Sequence, residues 1–126
     1  MPVFLYHCIM NKENKNLQAL APFSCKFTPQ IPQLLQQLNC SIAISTYQAG
    51  KVVFISAKDE NSLIQLPRNF EKAMGIAEDT KNDKIAIACK DEIIVFRNST
   101  DLAKFYPKAP NIYDSLYLPR NTFHTG

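Results

Sequence analysis

Two short stretches hold the side chains best suited to chemistry. In the first, STYQAGK, Tyr47, Gln48 and Lys51 place a phenol, an amide and an ammonium around one bend, a set able to hydrogen-bond a ligand or attract an anion. In the second, YDSLYLPRNTFHTG, Tyr113, Asp114, Arg120 and His124 bring an acid, a fixed cation and a titratable imidazole close together in sequence, with Tyr117 among them. Such a set suits an anionic or hydroxylated ligand. Each stretch also has a plainer reading. Tyr47 to Lys51 makes a hairpin turn in which Gly50 takes a positive φ and Lys51 is solvated. Asp114 and Arg120 pair across a loop, and His124 sits near a fraying end. His7, among apolar residues near the other terminus, reads as a satisfied partial-core histidine.

Little else points to catalysis. The chain has no G-x-S-x-G elbow, no H-E-x-x-H and no Walker loop, and its 3 glycines cannot build a glycine-rich phosphate cradle. Asp59, Glu60, Asp79, Asp83, Asp91 and Glu92 fall in expected turns, where carboxylates are solvated turn formers. Cys8, Cys25, Cys40 and Cys89 form no CxxC pair and have no histidine at ligand spacing, so neither a metal site nor a cofactor is expected. These cysteines read as free thiols, mostly buried, in a reducing cytoplasm. The two N-x-S/T matches, at Asn39 and Asn98, would then never meet the glycosylation machinery. MPVFLYHCIM lacks the basic region of a secretory signal and is too short to span a bilayer. Net charge is +3 with no basic cluster, which gives no footprint for nucleic acid.

Positioning these residues falls to a chain of 126 residues, enough for one modest core, with an ordinary 46% hydrophobic and 20% charged composition. Residues 1–39 read as an N-terminal extension. Within it Ile31, Leu34, Leu35 and Leu38 recur at helical spacing, with Thr28 as N-cap, Pro29 as first helical residue and Pro32 in the first turn. From Cys40 the period changes to two. SIAISTY alternates with its stronger apolar face on Ile42 and Ile44; KVVFISA, SLIQL, AMGIAE, KIAIAC and EIIVFR follow, with PRNFEK as a link. Met74 reads as a buried thioether and Gly75 as a close backbone approach.

KIAIAC and EIIVFR are apolar on both faces: Ile85 and Ile87 against Ala86 and Ala88, Ile93 and Val95 against Ile94 and Phe96. Strands of that kind need cover above and below. Stacked propeller blades supply it, and blades repeat at about 40 to 50 residues. The expected fold is therefore mainly β: an antiparallel meander over residues 40–126 forming about two blades of an incomplete propeller, after a short N-terminal helix. A self-contained α+β domain, with the helix covering one sheet face, is the alternative architecture. Self-association through an exposed strand edge or uncovered apolar face is the expected partnership.

TYQAGK at Thr46 to Lys51, AMGIA at Ala73 to Ala77 and the segment from Tyr113 to Gly126 resemble successive signatures of a bacterial family of conserved hypothetical proteins. That family is a domain of unknown function, sometimes found with tetratricopeptide repeats. The resemblance runs over about Leu34 to Gly126. It implies a propeller of the soluble-dehydrogenase or lactonase style, of which this chain is the N-terminal part, and it implies no activity. The function expected is a non-catalytic binding or scaffolding module; the alternative is a fragment of a lactonase-like hydrolase whose catalytic residues lie downstream.

Overall fold

The computed structural model describes residues 3–5, 25–106 and 113–126. In chain order the elements are β1 (Val3–Leu5), α1 (Gln30–Leu38), β2 (Ile42–Thr46), β3 (Lys51–Ala57), β4 (Leu63–Asn69), β5 (Gly75–Asp79), a 3-10 turn (Thr80–Asn82), β6 (Lys84–Ala88), β7 (Glu92–Asn98), α2 (Thr100–Ala103) and β8 (Ser115–His124). The fold is mainly β. One antiparallel sheet has the order β2-β3-β4; the second is an antiparallel meander β5-β6-β7-β8, with β1 added in parallel beside Ser115–Tyr117 of β8. His7 and Cys8 lie outside the described residues.

Two-residue periodicity decides what each strand buries. Along β3, Val52, Phe54 and Ser56 face one way and Val53 and Ala57 the other, and all five are buried. The Val52–Phe54 face meets the second sheet, in a core completed by Phe70, Ala73, Ile85, Ile87, Cys89, Ile94 and Phe96. Phe70 and Phe96 meet edge to face, centroids 6.0 Å apart at 88°. The opposite face of β3 lies under α1.

α1 begins one residue later than the sequence suggests. Pro29 occupies the cap without a side-chain hydrogen bond, and Thr28 contributes only its carbonyl, which accepts from the Ile31 N–H at 3.1 Å. Pro32 sits in the first turn, where its missing N–H costs nothing. At the other end Asn39 adopts the left-handed region at φ 49°. The Asn39 and Cys40 N–H groups return to the Gln36 and Leu35 carbonyls, closing a Schellman motif. The expected leucine stripe is split: Pro32 and Leu35 are buried, whereas Leu34 and Leu38 are 47% and 62% exposed. A nine-residue helix lying on one strand buries only the narrow line beneath it.

Other local expectations are corrected by position. Pro67 lies inside β4 rather than in a link, allowed because β4 pairs only with β3 and an edge strand has a side needing no donor. Met74 is not buried but 55% exposed, since it precedes β5. Ile42 and Ile44 are more than two-fifths exposed, because β2 is an edge strand lying beyond the line covered by α1. β1 and α2 were not foreseen. Three residues and four residues respectively are too few to show a period.

The second sheet has unequal faces. Ile85, Ile87, Ile94 and Phe96 are buried against the first sheet. On the reverse, Ala86 pairs with Val95, and Ala88 with Ile93, which pairs in turn with Phe123. Those alanines, Ile93 and Val95 remain only half-buried, and Phe123 is 56% exposed.

Candidate functional site

The second candidate stretch does not form one site. β8 runs ten residues, and at about 3.3 Å per residue its ends lie about 30 Å apart. Tyr113 and Asp114 stand at its start, His124 at its finish, and Arg120 between them. Arg120 is exposed and has no partner on β7: Phe96 pairs with Pro119 and Val95 with Asn121, so Arg120 is the extra residue of a β-bulge. Among the described residues no ion pair joins it to Asp114. Tyr113 packs edge-on to Tyr106, centroids 5.8 Å apart, in a small cluster with Ala103, Leu116 and Leu66. Burial lowers the Arg68 guanidinium from its ordinary value, and the nearby phenols of Tyr106 and Tyr113 oppose that shift.

Asp114 instead lines a cleft of about 600 Å³ between the two sheets. One wall is the approach to β2, from Asn39 to Ala43; the other is formed by Ile76 and Glu78 of β5 and by Ser115 and Tyr117 of β8, with Phe54 and Ile85 contributing apolar surface. Ser41 Oγ lies 2.7 Å from the buried Ser56 Oγ. Ser115 Oγ accepts from Asn98 Nδ2 at 3.4 Å, while Asn98 Oδ1 accepts from the Leu116 N–H at 2.9 Å, which fastens the start of β8 to β7. Burial pushes the Tyr117 phenol above its ordinary value, and the charges of Glu78, Asp83 and Asp114 push it further. Asp114 Oδ1 is shut off from solvent and has no hydrogen-bond partner among the described residues.

The first stretch, Tyr47 to Lys51, forms the β2–β3 hairpin at the other end of the sheets. Thr46 Oγ1 donates to the Lys51 carbonyl at 3.0 Å and accepts from the Lys51 N–H at 3.2 Å, while the Gly50 N–H donates to the Tyr47 carbonyl at 3.3 Å. Gly50 has φ 58°. The turn then docks on the chain leaving β4: the Phe70 N–H donates to the Gly50 carbonyl at 2.9 Å, and Lys51 Nζ donates to Asn69 Oδ1 at 2.6 Å. Lys72 Nζ stands 6.0 Å from the centre of the Tyr47 ring. Tyr47 and Gln48 thereby line an open hollow of about 410 Å³ with Phe70, Glu71 and Lys72.

His124 belongs to a third, smaller hollow of about 240 Å³, with Glu71, Cys89, Lys90, Asp91 and Glu92. Lys90 Nζ bridges Glu71 at 3.5 Å and Asp91 at 3.7 Å, both well exposed. Burial raises the Cys89 thiol, and Glu92 and Glu71 add to the rise, the opposite of what an activated thiolate needs. Among the described residues no three of histidine, cysteine, aspartate and glutamate converge to hold a metal. Asp59 and Asp79 act within their turns. Asp59 accepts from the Asn61 N–H at 2.8 Å and the Ser62 hydroxyl at 2.5 Å, and Asp79 accepts from the Asn82 N–H at 3.3 Å and its side-chain amide at 2.7 Å. No helix among the described residues is long and apolar enough to cross a membrane.

The inter-sheet cleft escaped sequence reasoning because its walls come from residues 39–43, 76–78 and 114–117, far apart in the chain. The signal that remained visible was Asp114 beside Tyr113 and Tyr117. The profile of one protein family, described as a domain of unknown function (DUF4915), matches residues 29–126. No curated protein and no solved structure matches the chain.

Proposed function

The chain belongs to the DUF4915 family, a domain of unknown function, and from its geometry we propose that it acts as a non-catalytic binding and scaffolding module built on a propeller-like meander. The observation that carries this reading is the inequality of the second sheet. Its inner face is sealed by the first sheet, yet its outer face carries an apolar patch of Ala86, Ala88, Ile93, Val95 and Phe123 that stays half-open.

Small residues make that outer face flat. Gly75, Ala77, Ala86 and Ala88 lie along β5 and β6, and Ile93, Val95 and Phe123 rise beside them on β7 and β8. A sheet presenting alanines lets another layer approach closely, at the spacing of about 10 Å usual between packed sheets. The face-to-face packing of the antiparallel meander β5-β6-β7-β8 on the three-stranded sheet β2-β3-β4 supports a propeller-like reading. The occupant assigned to the open face is a sheet of the same kind, which for the isolated chain means a second copy. Three of the edges disfavour edge-to-edge pairing: β4 carries Pro67, β8 beyond its pairing with β1 carries Pro119 and a bulge, and β5 ends on Glu78 and Asp79.

Methyl NMR over protein concentrations from about 10 μM to about 1 mM, the range in which weak interfaces form, tests the assignment. Shifts should move at Ala86, Ala88, Ile93 and Val95. Movement confined to Ile42 and Ile44 would overturn it.

A further inference from the structure

We propose that Asn61, in the turn between β3 and β4, is a modification site: it deamidates spontaneously through a cyclic imide formed with Ser62, leaving aspartate or isoaspartate. This goes beyond the docking face, which lies on the reverse of the second sheet, and the two stand or fall separately.

Apart from water, the chemistry is internal to the chain. The Ser62 backbone nitrogen gives up its proton and bonds to Asn61 Cγ, the side-chain nitrogen leaves as ammonia, and water opens the imide at one carbonyl or the other. Nothing is oxidised or reduced. The step needs an untethered side-chain amide and a small following residue whose nitrogen is not held in a backbone ladder. Asn61 meets each need. It is exposed, Ser62 is small, and its side chain bonds to no other described residue. The Ser62 nitrogen lies just ahead of β4, and among the described residues no backbone carbonyl accepts from it. Its neighbour is instead the Asp59 carboxylate, which accepts the Ser62 hydroxyl at 2.5 Å and the Asn61 N–H at 2.8 Å and also draws on the Ser62 N–H. A base therefore stands beside the nitrogen that must lose its proton.

The same dipeptide at Asn98 and Ser99 is closed to this reaction. Asn98 Nδ2 donates to Ser115 Oγ, Asn98 Oδ1 accepts from the Leu116 N–H, and the Ser99 N–H donates to the Leu116 carbonyl at 2.7 Å. Other described asparagines are held in their own ways. The N–H after Asn39 returns to the Leu35 carbonyl, and the one after Asn69 to the Gly50 carbonyl. Asn82 donates its amide to Asp79, and Asn121 lies within β8 ahead of the β-branched Thr122. Conversion at Asn61 has a structural consequence. The Lys58 N–H closes the turn on the Ser62 carbonyl at 3.0 Å, so isoaspartate, which adds a methylene to the main chain inside that loop, loosens the approach to β4, a strand paired only with β3.

Incubation of the full chain at neutral pH, followed by peptide mass spectrometry and by labelling with an isoaspartate-specific methyltransferase, tests the proposal. In the folded chain Asn61 should convert about tenfold or more faster than Asn98, which must first break its hydrogen bonds. In concentrated urea the two should convert at similar rates, and Asn61→Gln should remove most of the methyl label acquired by the folded chain. Equal conversion of Asn61 and Asn98 in the folded chain, a gap that persists in urea, or a label undiminished in Asn61→Gln would each overturn it.

Discussion

At Gly50 two constraints coincide: φ is 58°, and a Cβ added there would meet the Phe70 carbonyl oxygen at 3.1 Å. That oxygen belongs to a backbone already tied to Gly50 by the Phe70 N–H, so it cannot easily retreat. Gly50→Ala should cost about 1–3 kcal/mol, read as a lower urea midpoint with an unchanged slope. The positive φ was legible in TYQAGK, because a tight bend between two strand patterns calls for glycine. The Phe70 contact was not, since nothing local ties residue 50 to residue 70. Tyr117 gives a second test at this scale. Its phenol is raised above the ordinary 10.0 in the folded chain, so the folded state holds its proton more tightly than the unfolded state does. The resulting stabilisation is complete below about pH 10 and is lost as pH rises through the folded value. Alkaline unfolding should therefore be steeper in the wild type than in Tyr117→Phe, followed by circular dichroism from pH 8 upward.

Among the elements, α1 separates what periodicity can show from what packing decides. Four apolar residues at helical spacing announced the helix, but only the contact with β3 determines that Leu35 is buried at 3% exposure while Leu34 and Leu38 face outward. Leu35→Ala should cost about 2–5 kcal/mol, and Leu34→Ala or Leu38→Ala no more than about 0.5 kcal/mol, by equilibrium denaturation. Six of the strands were legible because alternation and turn residues recur through residues 40–97. β4 ran past its expected end, since Pro67 reads as a breaker until its edge position is known. β8 was the costliest omission. Its polar and charged residues hide a strand that is exposed from Pro119 onward, and its length is what pulls Asp114 and His124 apart.

For the whole molecule, one pattern in Ile85 to Phe96 carries the account. Over Ile85–Ala88 and Ile93–Phe96 both faces of β6 and β7 are apolar, yet within the described residues only one is sealed, and the proposal assigns a further layer to the other. The meander and its stacking were readable from that pattern; which face would be left open was not, because it depends on which side the first sheet occupies. Sedimentation velocity of the wild type beside Ile93→Lys addresses the open face directly. The account predicts concentration-dependent association of the wild type, and a monomer of unchanged fold when Lys replaces Ile93 on that half-buried outer face. A wild type that stays monomeric up to about 1 mM, or an Ile93→Lys chain that associates equally well, would contradict it.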